Sequence, residues 1–309
     1  MPELPTGTLT PSTGVGPELP AVPGTDMQAG RLRRMLTVAR DNKLATAGLI
    51  TTIGLTLFCY AGPLLYHTNE TGTNLLLANM PPSAAHPLGT TPEGRDELGQ
   101  LMVGGQSTLE VGFAVAILGT AFGMIWGALA GYIGGIFDAV LMRVVDALLA
   151  IPFLFFIVLL ASITTPSLLI IILAITAASW ESTARLVRGE VLSLRTRDYV
   201  AVSRQLGARH RHTVFRHLVP NVIGTVVVTA TLSMADAILI YAAVAFLGLS
   251  VPPPATSWGD LLTTGINNLF DGYWWQLWPP AFAIVLIVLA VNVLGDGMHD
   301  MVEHRLERH

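Results

Sequence analysis

Residues 195–221 read RTRDYVAVSRQLGARHRHTVFRHLVPN, a cationic island set between long apolar runs. Tyr199, Val202, Ser203 and Leu206 fall at i, i+3, i+4 and i+7, so a helix there would present one mostly apolar face. Gly207 interrupts the pattern, as a residue that closes a helix in the left-handed conformation at little steric cost. Arg211, Val214, Phe215 and Leu218 repeat the spacing until Pro220 forbids its continuation. The pattern predicts two short helices bent at Gly207, with Arg204, Arg209, His210, Arg216 and His217 around an apolar side. Two readings stand side by side: a knob that docks into a cleft of a soluble partner, or a positive loop that fixes topology.

The flanks of the island decide the fold. Of 309 residues, 52% are hydrophobic and 12% charged, and the mean hydropathy is +0.59. Soluble domains average about 25% charged residues, so an integral membrane protein is expected. A spanning helix needs about 20 apolar residues. Six stretches come close: 44–66, 109–132, 139–163, 167–184, 222–249 and 280–295. The expected fold class is all-α, a polytopic membrane protein of six transmembrane helices with the island as a cytoplasmic helix pair. A cytoplasmic amino terminus would put all but one of the 17 Lys and Arg residues inside, the exception being Arg95. That asymmetry specifies the orientation.

Residues 1–30, rich in Pro, Thr and Gly, cannot bury a core and read as a disordered cytoplasmic tail. Residues 31–43 form a basic cytoplasmic segment, and 44–305 the six-helix transmembrane domain, with a cytoplasmic region at about 185–221. External loops at about 67–107 and 250–278 lack a long apolar run and read as surface caps, where a receptor or substrate could meet the protein. Trp274, Trp275 and Trp278 read as an interfacial aromatic belt.

Ionisable residues near the spans come next. Arg143 with Asp146 and Glu181 with Arg185 are expected to pair locally at i, i+3 and i, i+4. Glu110 lies near the outer end of the second span. Asp236 sits deep in the fifth span with no local partner, which leaves two readings: it lines a polar pathway, or it hydrogen-bonds a neighbouring helix. Gly119, Gly123, Gly127 and Gly131 recur every four residues and align as a groove in which another helix can approach closely. The single cysteine, Cys59, excludes an internal disulfide and reads as a packing residue.

Chemical motifs are absent. The only lysine, Lys43, has no preceding glycine loop, so the chain lacks a phosphate loop for ATP. There is no HExxH, GxSxG or nucleotide-binding GxGxxG arrangement. His210 and His212, two positions apart, point to different faces of a helix and do not suggest a metal pair. No catalytic residue, cofactor or metal is expected in this chain.

The island resembles the EAA loop of ABC importer membrane subunits, with Ala201, Val202, Ser203, Gly207 and Pro220 on its pattern and the glutamate absent. HPLGT and GRD (His86 to Thr90, Gly94 to Asp96) are similar to the external signature of the second permease, or C subunit, of dipeptide and oligopeptide importers. So are Trp180, Ala184 and Arg185 before the island, and Phe246, Leu247, Gly248, Leu249, Pro252, Pro253, Ser257, Trp258 and Gly259 after it. Asn292, Leu294, Gly295, Asp296, Gly297 and Asp300 resemble its closing NxLGDGxxD. The ordered set covers about residues 40–305.

That resemblance implies a non-catalytic permease paired with a homologous second permease, two ATP-binding cassette ATPases and an external peptide-binding protein. ATP and Mg²⁺ would then be bound by the partner subunits. It implies a multi-pass protein of the bacterial plasma membrane, in contact with lipid and not with nucleic acid, with both termini cytoplasmic. The residues expected to meet an ATPase are Tyr199, Ala201, Arg204, Leu206, Gly207, Ala208, Arg209, Phe215 and Arg216. Asp236 and Tyr241 are the pathway candidates, and Tyr241 stands where the family usually carries a glutamate. The rival reading is a proton-coupled secondary transporter with Asp236 as the carrier.

Overall fold

A computed structural model describes residues 43–67, 71–152, 155–157, 159, 167–197 and 219–306. The tail at 1–30, the basic segment to residue 42 and all nine expected ATPase-facing residues between 199 and 216 lie outside the described residues. The principal α-helices are α1 Lys43–Leu65, α2 Glu97–Ile133, α3 Gly135–Leu149, α4 Leu168–Ala177, α5 Glu181–Arg195, α6 Val219–Phe246, α7 Trp258–Asn268 and α8 Trp278–Leu306. The only extended pairing among the described residues is an isolated bridge between Thr90 and Asp96.

Four of these segments are long and apolar enough to cross a membrane: α1, α2, α6 and α8 with the turn before it, Trp274–Asp300. The pair α4 and α5 makes a fifth, bent by 43° at its break. Large apolar side chains such as Leu57, Ile117, Leu239, Phe282 and Leu289 stay exposed on these helices. Such surfaces suit a bilayer, where the helical backbone is satisfied internally and apolar side chains face lipid.

The element starts follow local chemistry. Asp96 caps α2 by accepting the Gly99 N–H at 2.8 Å. Ser167 does the same for α4, and Ser257 for α7. Pro220, Pro279 and Pro280 sit in first turns, where a missing N–H costs nothing. Gly134, at φ 73°, separates α2 from α3 in a conformation that a side chain would strain.

Three expectations need correction. The second span does not begin at 109: α2 starts at Glu97, so part of the expected external loop is helix. Hydropathy overlooks this turn because Glu97, Gln100 and Gln106 are polar, whereas the Asp96 N-cap and burial by other segments define it. The fourth span is not straight over 167–184. It breaks after Ala177 because Trp180 turns inward, its ring 4.7 Å from Phe122 and 5.0 Å from Trp126, with its indole N–H donating to the Ala177 carbonyl at 3.1 Å. The loop at 250–278 contains α7, whose Trp258 side chain is fully buried.

α2 is the centre of the bundle, packed most extensively on α5 and then on α6, while α8 packs on α1 and α6. One core gathers Cys59, Leu109, Ile238, Trp258 and Ile287. A second joins Val111, Val115, Ile175 and Tyr241, and a third joins Val187, Val191, Val222 and Val226. The third lies where α5 and α6 approach the two ends of the island.

Candidate functional site

Because 198–218 lies outside the described residues, the site is read from the frame on either side of it. α5 leads into the island and α6 leads out. The α5 backbone is seated on the glycines of α2. A side chain at Gly123 would come within 2.6 Å of the Trp180 carbonyl oxygen, one at Gly131 within 2.9 Å of that of Arg188, and one at Gly127 would fall on the Ala184 carbonyl. Gly119 is looser, its nearest neighbour being Ser179 Oγ at 3.4 Å. Only glycine permits helix backbones to approach this closely.

Charged groups fasten the same frame. Arg188 of α5 donates from Nε and Nη2 to the two Asp138 carboxylate oxygens of α3, at 2.5 and 2.7 Å. This bidentate bond holds the Asp138 carboxyl below the usual carboxylate range, against the opposing effect of burial. Arg195 donates from Nη1 to the Gly131 and Tyr132 carbonyls at 3.2 and 3.3 Å, satisfying acceptors at the end of α2. Across the gap, Thr225 of α6 donates to Glu190 of α5. The two helices bounding the island are therefore joined to each other and to α2 and α3.

The local pairs expected from sequence are not formed. Asp146 accepts from Arg185 at 2.6 Å rather than from Arg143, and Glu181 has a buried carboxylate oxygen without a partner. Packing of α5 along α2 carries Arg185 to α3 and away from Glu181. Glu110 accepts from the Tyr60 hydroxyl of α1 at 3.2 Å.

The two pathway candidates occupy different surroundings. Asp236 is exposed on α6, on the same side as the exposed Leu232 and Leu239, and joins none of the ion pairs among the described residues. Tyr241 is fully buried in this chain, its hydroxyl 3.4 Å from Ser250 Oγ. Ser250 and Ser257 both donate to Asp260 Oδ2 at 2.7 Å, and burial pushes the Asp260 carboxyl up.

At the opposite end from the island, the segments before α2 and around α7 interlock as a crown. Gln276 donates from Nε2 to Thr90 O and to Asn79 Oδ1, each at 2.8 Å. Asp96 Oδ2 bonds His86 Nδ1 at 2.7 Å and the Tyr66 hydroxyl at 3.2 Å. Burial, and then the Asp96 charge, push the Tyr66 phenol up to about 12. Trp258 donates its indole N–H to Leu101 O at 2.7 Å. Trp274 and Trp278 are exposed, as an interfacial belt requires, but Trp275 is buried in the crown against Thr90.

Residues 123–308 match the family described as binding-protein-dependent transport system inner membrane component, and residues 30–82 match the N-terminal TM domain of oligopeptide transport permease C. The chain belongs to this permease family.

Relatives place it in the peptide branch. It is 39% identical to the oligopeptide transport system permease protein OppC of Bacillus subtilis (strain 168) over 269 residues, 87% of this chain and 88% of the relative. It is 37% identical to the dipeptide transport system permease protein DppC of the same organism, over 87% of this chain and 84% of that protein. A chain of the MetNI methionine ABC transporter in an inward-facing conformation shares the fold at a TM-score of 0.53 and 22% identity, covering 66% of this chain and 95% of that one. The protein is thus a multi-pass permease of the peptide ABC transporter family.

Several frame residues have no signature in the sequence. Asp138 and Arg188 lie 50 positions apart and Arg195 and Gly131 lie 64 apart, too far for a helical spacing rule to link them. The glycine repeat of α2 was the one available signal, and it marked the groove without naming its occupant.

Proposed function

We propose that this permease is the translocation subunit of an ATP-driven peptide importer, in which separate ATPase chains hydrolyse ATP with Mg²⁺ and move the 195–221 island. A homologous permease completes the pathway and an external binding protein delivers the peptide. The chain itself is non-catalytic, and its termini and island are cytoplasmic. One observation carries this reading: α5, which enters the island, lies backbone to backbone on α2 and is tied by Arg188 to α3, so a push at the island moves these three helices as one body. A flexible connection would dissipate the same displacement.

On this reading Tyr199, Ala201, Arg204, Leu206, Gly207, Ala208, Arg209, Phe215 and Arg216 form the contact with the ATPase, and Asp236 faces the pathway. An ionised carboxylate directed at lipid would cost about 3 kcal/mol or more, which favours a wet path or a polar partner for Asp236. Membership of the peptide permease family supports the cargo class.

The test is peptide uptake per ATP hydrolysed by the reconstituted complex. Gly207→Ile should leave hydrolysis running while uptake falls at least about tenfold, a loss of about 1.4 kcal/mol of coupling. Normal uptake by that variant would defeat the coupling assignment. Uptake that persists without ATP while a proton gradient is held would instead favour a secondary transporter working through Asp236.

A further inference from the structure

The crown contains a cleft of about 510 Å³ between the segment before α2 and the start of α7, lined in part by Glu93, Arg95, Gln100, Ser250, Asp260 and Thr264. Its size falls within the roughly 300–1,000 Å³ of ordinary small-molecule sites. Unlike those sites it carries charges of both signs.

Arg95 is its distinctive member. The Arg95 backbone is fixed by a tight turn: its carbonyl accepts the Thr91 N–H at 2.9 Å, and its N–H donates to Thr91 Oγ1 at 3.2 Å. Gly94, at φ 70°, has no room for a side chain because one would fall on the Asn74 carbonyl. The guanidinium is therefore presented from a rigid base. Its Nε is buried and has no hydrogen-bond acceptor. Buried donors are rarely left this way, and the Arg95 side chain borders a cleft that contains two carboxylates. One of them, Asp260, is already occupied through Oδ2 by the Ser250 and Ser257 hydroxyls. Neither Asp260 nor Glu93 forms an ion pair with Arg95.

A planar guanidinium with no ion-pair partner among the described residues is matched by a carboxylate, which it can bind through two parallel hydrogen bonds. We propose that this cleft is a peptide subsite in which Arg95 binds the substrate α-carboxylate at the external mouth of the permease. This rests on the importer reading above. The acidic groups Glu93 and Asp260 in the same lining suit a zwitterion, whose ammonium they attract, better than a simple anion.

The experiment uses the complete reconstituted complex with its binding protein, and compares ATP-driven uptake of trialanine and trialanine amide by wild type and Arg95→Gln. The readout is the KM of the amide divided by the KM of the free acid; the binding protein is common to both complexes, so its own preference cancels. Loss of a charge-assisted pair should lower this ratio about tenfold or more in Arg95→Gln, and Arg95→Lys should lower it less than Arg95→Gln but below wild type, since the cation is retained and the paired geometry is lost. An unchanged ratio in Arg95→Gln overturns the proposal. Should that variant fail to assemble, Thr264→Trp narrows the cleft from the α7 side and should raise the trialanine KM about tenfold or more; an unchanged KM likewise overturns it. Weaker capture of the binding protein by Arg95→Gln, equal for its loaded and empty forms, would assign Arg95 to docking and also overturn it. Absence of ATP-driven peptide uptake by wild type would instead refute the importer reading, and would be seen before any variant is made.

Discussion

The Ala184 carbonyl of α5 lies directly over Gly127 of α2, in the space where any other residue would carry its Cβ. Helix propensity favours alanine over glycine by about 1 kcal/mol, while forcing atoms into a packed contact costs about 1–3 kcal/mol. The overlap wins at Gly127. Gly127→Ala is expected to lower the thermal unfolding temperature of the detergent-solubilised protein, and Gly127→Leu to lower it further. At Gly119, where the nearest atom is Ser179 Oγ at 3.4 Å, propensity wins, and alanine should be neutral or stabilising.

The Asp138–Arg188 bond should make the frame sensitive to acid. Asp138 has its carboxyl held down by Arg188, so its stabilising contribution is complete above the ordinary carboxylate value of about 4 and is lost as pH falls through the lower folded value. Asp138→Asn should remove that part of the acid dependence. At neutral pH it should cost about 1–2 kcal/mol, allowing for the partial exposure of Arg188. Equal acid sensitivity of variant and wild type in a thermal melt would count against the bond.

Tyr66 gives the opposite end an alkaline limit. Its phenol is pushed up to about 12, so the fold favours the protonated form. The contribution is complete below the ordinary tyrosine value of about 10 and is lost as pH rises through the folded value. In Tyr66→Phe, unfolding between those values should depend less steeply on pH, and at neutral pH the lost hydrogen bond to Asp96 should cost about 1 kcal/mol.

Asp236 can be probed with thiol chemistry. Cys59 is the only cysteine and is buried, so Cys59→Ala provides a background in which Asp236→Cys carries the sole thiol. A small, charged, water-borne thiol reagent should modify it in the assembled complex, at a rate that changes when ATP is added. Protection in every nucleotide state would place this face of α6 against protein or lipid and remove Asp236 from a wet pathway.

How much of this could be read from the sequence depended on how local the signal was. The spans at α1, α6 and α8 were legible because each is a continuous apolar run. The start of α2 was not, since a polar first turn defined by Asp96 and buried in the crown carries no hydropathy signal. The bend before α5 depends on Trp180 meeting Phe122 and Trp126, a contact across more than 50 positions. Arg185 was assigned the neighbour allowed by helical spacing and takes Asp146 on another helix instead. In the site, the glycine repeat could be seen in advance, whereas the arginines that fasten α5 had no local partner to reveal them.

Gln276 reaches back 186 positions to the Thr90 carbonyl and 197 to Asn79. A chain still emerging from the ribosome has made Asn79 and Thr90 long before Gln276 exists, so the crown stays open until synthesis is nearly complete. Every preceding helix can enter the bilayer during that interval. The last span thus serves as a completion signal, and a truncated chain would display unpaired polar groups at the crown, where quality-control proteases can tell it from a finished one.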